Sequence, residues 1–189
     1  MTRAYRGLDF NFALRLAGDD LADYVETILA PLATNEPARH IYSVVDDGPS
    51  YKSRYAVYFG GQRIVRTPSE PLILVYLLWH INRAVVAESD RYLLLHAAAG
   101  ASNGSAILFP APMDSGKTTL IAGLLRRGLG YLTDEAAAID PATLDVDPYP
   151  KPLSIELGSW KLFNDLRPQL DDRFIRFADE QWHVVPDAV

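Results

Sequence analysis

Residues 106–127 read AILFPAPMDSGKTTLIAGLLRR, and this stretch decides the fold. Four apolar residues, 106–109, precede a loop with proline and glycine, and residues 118–127 then repeat large apolar residues at helical spacing. The pattern predicts a buried strand, a tight loop and a helix that starts just after Gly116. The side chains expected to face inward from this helix are Leu120, Ile121, Leu124 and Leu125. Because the start of a helix carries unpaired N–H groups and a positive dipole end, the stretch predicts a phosphate-binding loop.

The loop follows the nucleotide-binding pattern G-x-x-x-x-G-K-[ST] at its second half. Gly116 lets the backbone approach the phosphates, the Lys117 ammonium reaches the β and γ oxygens, and the Thr118 hydroxyl binds Mg²⁺. The residues expected to contact the nucleotide are consecutive: Asp114, Ser115, Gly116, Lys117, Thr118 and Thr119. We therefore expect ATP, or another nucleoside triphosphate such as GTP, to bind with Mg²⁺.

Two residues of the loop depart from this pattern. Ala111 occupies the position of the first glycine, where the conformational freedom of glycine is normally used. Asp114 places a carboxylate beside the expected phosphates and repels them unless its side chain turns toward solvent or metal. The sequence therefore predicts a modest affinity for nucleotide.

An acidic pair follows the helix after a short turn. Residues 129–139 are predicted to form a strand that is interrupted by polar residues at Thr133, Asp134 and Glu135. A P-loop kinase needs an acid for its metal ion and a base for the attacking hydroxyl, and the pair supplies both groups. Adjacent strand residues face opposite ways, so the two acids share one site only if the strand ends or bulges there. A polar strand end that faces water is the alternative.

The short spacing between loop and acidic pair resembles that of the HPr kinase and phosphoenolpyruvate carboxykinase group. The resemblance runs from Leu94 to about Pro152. Over this stretch the chain is similar to the broad HPr-kinase-related family of bacterial gene clusters. Members of that family often carry Tyr-Pro-Lys-Pro-Leu-Ser, here Tyr149 to Ser154. It implies that His96 lies near the transferred phosphate, that Asp134 is the base and that Glu135 helps Asp134 and Thr118 to hold metal. The catalytic set is then Asp134, His96 and Lys117. A buried structural histidine is the alternative for His96, and Lys151 either contacts a phosphate or is a solvated loop residue.

The chain also departs from the HPr kinases. They carry two aspartates where Asp134 and Glu135 stand, and a glycine where Asp114 stands. They continue beyond the acidic pair into segments that grip the HPr protein and build a hexamer, whereas residues 136–189 follow the pair here. We therefore expect an acceptor other than HPr, and a homo-oligomer is one arrangement that the resemblance allows.

The first 88 residues carry no motif and predict a small α+β unit. Asp9–Leu16 alternates as a half-buried strand does, and residues 21–32 keep the spacing of an amphipathic helix that Asp19 or Asp20 would cap. Residues 40–45 and 54–65 are expected to be strands, and Ser69 to start a buried apolar helix. Near the other terminus, Ser159–Leu166 is expected to form a short helix and Trp182–Val185 a last strand. The predicted fold is α/β: a P-loop βαβ core of the HPr kinase/carboxykinase type, residues 89–189, with the α+β unit of residues 1–88.

The composition disfavours several kinds of partner and chemistry. The 189 residues carry a net charge of −6 and a pI near 5.1, which disfavours a nucleic-acid partner. Cysteine is absent, which excludes disulfides, thiolate catalysis and cysteine-bound zinc. The longest apolar run, Leu72–Trp79, is far shorter than the roughly 20 residues of a membrane span, and no signal peptide is visible. We expect a cytoplasmic protein without a membrane partner.

Four functions remain open from the sequence. The first is a kinase that transfers the γ-phosphoryl group of ATP to a hydroxyl of a peptide, a protein or a small molecule. The second is a catalytically silent nucleotide-binding regulatory module. The third is a carboxykinase, which would need a second metal site and an arginine cluster, and neither is evident in the sequence. The fourth is a structural domain that binds no nucleotide.

Overall fold

The computed structural model describes residues 3–49, 52–169 and 181–189. The fold is mixed α/β, and the described residues form three sheets and three α-helices, with short 3₁₀ segments between them. The helices are α1 (Asp19–Ile28), α2 (Glu70–Glu88) and α3 (Lys117–Leu125). Helices α1 and α2 pack on the first sheet, and α3 packs on the second.

The first sheet has six strands in the order β3-β1-β2-β4-β5-β6. Its strands are β1 (Ala4–Gly7), β2 (Phe10–Arg15), β3 (Ala33–Thr34), β4 (His40–Asp46), β5 (Tyr55–Phe59) and β6 (Gln62–Thr67). The β2 and β4 strands are parallel, and the other neighbours are antiparallel. Helices α1 and α2 bury their apolar residues against this sheet and form the larger core of the molecule.

The expectations for β2 and α1 were wrong in detail. The β2 strand is buried on both faces: Phe10, Phe12 and Leu14 lie in the core, and Asn11 is also covered, with its amide donating to Glu36 at 2.8 Å. Helix α1 is preceded by Gly18 and has no side-chain cap, so Asp19 and Asp20 lie in its first turn instead. There their charges still face the positive end of the helix dipole.

Helix α2 is buried on one side only, which corrects the expectation of a buried helix. Ile73, Leu74 and Leu77 pack in the core, whereas Tyr76 and Trp79 are exposed. Its length and hydropathy would also suit a membrane crossing, a property that core helices of soluble proteins share. Part of this side, including Trp79, lines a cleft together with residues of the second half of the chain.

The second sheet is organised around one long strand, β7. It contains β7 (Leu93–Ser102), β8 (Ser105–Pro110), β9 (Gly130–Thr133), β10 (Ala136–Ile139) and β11 (Val146–Asp147). Residues 99–101 of β7 pair with β8 on one edge and with β9 on the other, both antiparallel. The β8 and β9 strands therefore run in the same direction, and α3 connects them across β7.

Helix α3 packs on this sheet through Ile121 and Ala122, both fully buried. Leu120, which was expected to face inward, is exposed because the inner face is rotated toward the smaller Ala122. The helix ends at Leu125, and Gly128 follows with a φ of 88°, the left-handed conformation that favours glycine at helix ends.

A hairpin near the carboxyl end of the chain forms the third sheet. Its strands are β12 (Leu153–Glu156) and β13 (Gln181–Val184), which confirms the expected last strand to within a residue. The expected short helix is a pair of 3₁₀ segments, Leu157–Leu162 and Asn164–Gln169. The hairpin packs against α3, so the helix that starts at the loop is held between two sheets.

Candidate functional site

The loop between β8 and α3 has the backbone of an anion cradle. Gly116 takes φ 86° and ψ 18°, a left-handed conformation that glycine adopts without strain, and α3 begins at the next residue. Among the described residues no side chain caps this helix start. Its first N–H groups therefore remain available to an anionic ligand.

The two unusual loop residues behave differently. Ala111 does not take a positive φ, so the alanine there costs no backbone strain. Asp114 does, with a φ of 59°, which aspartate tolerates better than most residues but not as well as glycine. Asp114 thus occupies a position where the backbone uses the conformation that favours glycine.

The Lys117 ammonium closes the loop. It donates to the carbonyl oxygens of Ala111 at 2.8 Å and Pro112 at 2.6 Å, and the residue is only 8% exposed. These carbonyls hold a buried cation at the mouth of the cradle. An entering phosphate would be a stronger partner for the ammonium than neutral carbonyls, because charge-assisted hydrogen bonds are the stronger kind.

Asp134 is the buried centre of the site. Its Oδ2 accepts a hydrogen bond from the Thr118 hydroxyl at 2.9 Å, and its Oδ1 accepts one from the Tyr131 hydroxyl at 2.9 Å. The Lys151 ammonium lies 2.7 Å from the same Oδ1. Burial, and then the charge of Asp134, raise the pKa of the Tyr131 hydroxyl, which therefore stays a donor. The expected proximity of Asp134 to the Thr118 hydroxyl is confirmed.

The strand bends where the acidic pair lies. Ala99 pairs with Thr133 and Gly100 with Tyr131, so Leu132 is an extra residue and forms a β-bulge. The β9 strand then ends at Thr133, and β10 resumes along the same edge of β7 at Ala136. Because of this interruption Asp134 and Glu135 line the same cleft, which adjacent residues of an unbroken strand could not do.

Glu135 pairs with His96 rather than with Thr118. The His96 Nδ1 and Glu135 Oε1 atoms are 3.8 Å apart, and the two side chains are about half and one-third exposed. The alternative of a buried structural histidine is therefore wrong for His96. The site holds two distinct pairs, Thr118 with Asp134 in its floor and His96 with Glu135 nearer to solvent.

A cleft of about 750 Å³ opens above these residues. All of the predicted site residues line it except Ser115, although the Thr119 hydroxyl is engaged by the Ser159 hydroxyl at 2.6 Å. The opposite wall is the exposed side of α2: Val75, Leu78, Trp79, Asn82, Arg83 and Val86. This size suits a nucleotide-sized ligand. The α2 wall was not predicted, since its residues follow an ordinary apolar helix pattern.

Two further site residues come from the carboxyl-terminal part of the chain. Lys151 is only 11% exposed, which excludes the solvated loop alternative. His183 lies in the cleft wall and is 4% exposed, with Nδ1 3.3 Å from the Ser154 hydroxyl and Nε2 without a partner among the described residues. Burial lowers the pKa of His183 to about 4, and the charge of Lys151 adds to that effect. Sequence reasoning missed His183 because no motif surrounds it.

The donor atoms of the floor fit a hard divalent cation. The Thr118 hydroxyl and the Asp134 carboxylate are oxygen donors on adjacent elements, as Mg²⁺ prefers. Among residues 3–49, 52–169 and 181–189, no cluster of three or more His, Asp or Glu could hold a metal alone. Mg²⁺ sites in proteins take one or two carboxylates and complete their shell with phosphates and water.

No known protein family, curated protein or solved structure matches this chain. The function is therefore inferred from the site and from the sequence motifs that build it.

Proposed function

We propose that this protein is a Mg²⁺-dependent kinase with a P-loop βαβ core like that of the HPr-kinase-related family, and that it transfers the γ-phosphoryl group of ATP to a hydroxyl. The observation that carries the proposal is the hydrogen bond from Thr118 to Asp134 beneath the start of α3. It joins the two oxygen donors that a P-loop kinase needs at its metal, across two elements that only the fold brings together.

The loop residues would bind the nucleotide. The N–H groups at the start of α3 would receive the phosphates, and Lys117, which donates to two carbonyl oxygens in this structure, would donate to phosphate oxygens instead. Thr118 and Asp134 would hold the metal ion, which neutralises charge that develops on the transferred group. This assignment of Asp134 follows from its burial and from its bond to Thr118.

The acceptor hydroxyl must lose its proton during transfer, and a positioned carboxylate or imidazole is suited to take it. Glu135 and His96 lie at the more exposed side of the cleft, where an acceptor would enter. We therefore assign the role of general base to this pair. The resemblance implied Asp134 as the base and Glu135 as its partner at the metal. That reverse assignment is an outcome of the experiment below.

The binding step is tested by calorimetry with ATP, with and without Mg²⁺. The parent protein should bind more tightly with Mg²⁺, and Lys117→Ala should lose detectable binding, because the cation facing the β and γ oxygens is gone. Lys161→Ala, at an exposed lysine of a 3₁₀ segment, is the matched control and should bind like the parent. If Lys117→Ala binds ATP as tightly as the parent at an unchanged melting temperature, the loop assignment is wrong.

The transfer step is tested with Asp134→Asn, Glu135→Gln and His96→Ala. Neighbouring gene products and small hydroxyl compounds serve as acceptors, and slow ATP hydrolysis is the fallback readout. Glu135→Gln should bind Mg-ATP within several-fold of the parent and lose transfer by about 10²-fold, the usual scale of a general base. Asp134→Asn should lose the Mg²⁺ dependence of binding; if it keeps that dependence and loses only transfer, Asp134 is the base. A parent that binds Mg-ATP without hydrolysis or transfer would instead be a regulatory module.

A further inference from the structure

The Lys151 side chain forms a buried ion pair with Asp134. The two side chains are only 11% and 2% exposed, and the Lys151 Nζ and Asp134 Oδ1 atoms are 2.7 Å apart. The second carboxylate oxygen of Asp134 is the acceptor of the Thr118 hydroxyl. The ammonium is therefore a counter-charge to the same carboxylate that the proposed metal ion would need as a ligand.

The backbone holds Lys151 in this place from both sides. The Tyr149 N–H donates to Leu132 at 2.8 Å, and the Lys151 carbonyl accepts from the Tyr131 hydroxyl at 3.3 Å. Tyr149 is fully buried, and its ring lies so close to Gly7 that a side chain there would be only 2.8 Å from it. Lys151 thus comes from a segment that is tied to β9, and its ammonium also donates to the Pro152 carbonyl oxygen at 3.2 Å.

We propose that Lys151 is an internal counter-ion of this site: it neutralises Asp134 while no metal is bound, and it releases the carboxylate and turns to the triphosphate when metal and nucleotide enter. This inference rests on the proposed function. The single negative charge of Asp134 cannot balance both the ammonium and a divalent ion, and a divalent ion beside Thr118 would repel the ammonium. The triphosphate then presents the nearest surplus of negative charge in the cleft.

A consequence can be measured without nucleotide. If Lys151 is removed, Asp134 becomes a buried carboxylate without a counter-charge, which is strongly destabilising. Lys151→Met keeps the volume and removes the charge, and it should lower the melting temperature by about 5 °C or more. Millimolar MgCl₂ or MnCl₂ should restore part of this loss in the variant and leave the parent nearly unchanged, with KCl at equal ionic strength as the salt control.

Two controls tie the effect to the pair. Lys161→Met removes an exposed lysine and should neither lower the melting temperature by this amount nor respond to metal. The double variant Lys151→Met with Asp134→Asn removes both charges, so it should regain stability and lose the response to metal. If Lys151→Met does not fold alone, recovery of the fold in the double variant still supports the counter-ion. A double variant as unstable as the single one, or a metal response equal in parent and variant, would overturn it.

The second half of the inference concerns the nucleotide. In calorimetry with Mg-ATP, Lys151→Met should bind about tenfold more weakly than the parent, and Lys151→Arg, which keeps the charge, should bind within about threefold. Unchanged affinity in Lys151→Met would overturn the transfer of the ammonium to the triphosphate. The two proposals fail separately: a parent that never binds Mg-ATP defeats the kinase, whereas a parent that binds it while Lys151→Met shows no metal response defeats only the counter-ion.

Discussion

Asp114 shows how one residue of the loop can weaken a site without destroying its backbone. Its φ of 59° lies in the left-handed region that glycine adopts without strain. The side chain is exposed and lines the cleft, so its carboxylate lies in the field of any bound phosphate. The residue therefore carries a small conformational penalty and an electrostatic one, and both disappear with glycine.

Asp114→Gly should bind ATP more tightly than the parent, by a few-fold to tens-fold. The relevant electrostatic scale is an exposed charge interaction of about 1 kcal/mol for each charge pair, which is a few-fold in affinity. The left-handed backbone is present without nucleotide, so the relief of its strain raises stability rather than affinity. Calorimetry with Mg-ATP measures the change. Asp114→Asn separates the charge from the strain, because asparagine tolerates the conformation and lacks the charge. Weaker binding by Asp114→Gly would mean that the carboxylate serves the site, through metal or through loop structure.

At the scale of elements, the strand, loop and helix were predictable from residues 106–127 because local periodicity specifies them. The interruption at the acidic pair was also predictable, since polar residues stop an apolar strand. The common site of Thr118 and Asp134 followed from the resemblance, but the direct hydrogen bond between them did not, because it depends on the bulge at Leu132 and on the register of β9 against β7. The position of β7 between β8 and β9 is likewise a long-range pairing that no local pattern states.

Two glycines test how tightly these elements pack. A side chain at Gly100 of β7 would lie 2.3 Å from a methyl of Leu129 and 3.0 Å from the Gly130 carbonyl, whereas one at Gly123 within α3 would meet nothing within 4 Å. Gly100→Ala should therefore destabilise the protein by about 1–3 kcal/mol through overpacking. Gly123→Ala should stabilise it by about 0.5–1 kcal/mol, because alanine loses less entropy in a helix. Urea unfolding of both variants decides, and equal effects of the two substitutions would contradict this packing.

At the scale of the whole molecule, the cleft depends on contacts between distant parts of the chain. The larger core includes Ala138 and Tyr149 beside the helices of the first half. The Tyr24 hydroxyl of α1 donates to the His183 carbonyl of the carboxyl-terminal hairpin at 3.3 Å. The sequence could predict from its motif the loop that lines one part of the cleft. It could not predict that α2 forms the facing wall, because tertiary packing alone decides which exposed residues meet.

His183 makes the stability of this assembly depend on pH. Its pKa is lowered from 6.5 to about 4 by burial and by Lys151, with Asp134 acting in the opposite direction. The unfolded chain therefore binds more protons than the folded one between these values, so the contribution of His183 is fully present above about pH 6.5. It is lost as the pH falls toward 4, by on the order of 3 kcal/mol.

His183→Gln keeps a polar group near Ser154 and cannot titrate, so its free energy of unfolding should fall less steeply between pH 6.5 and 4 than that of the parent. Urea unfolding at a series of pH values measures the difference between the two proteins, in which the carboxylates that titrate in both largely cancel. The gap should be widest at pH 7 and narrow steadily below pH 6.5, because protonation must open the hairpin around the imidazole. Parallel curves for parent and variant would show that His183 is solvated enough to titrate in the folded protein, and that the hairpin does not seal this wall of the cleft.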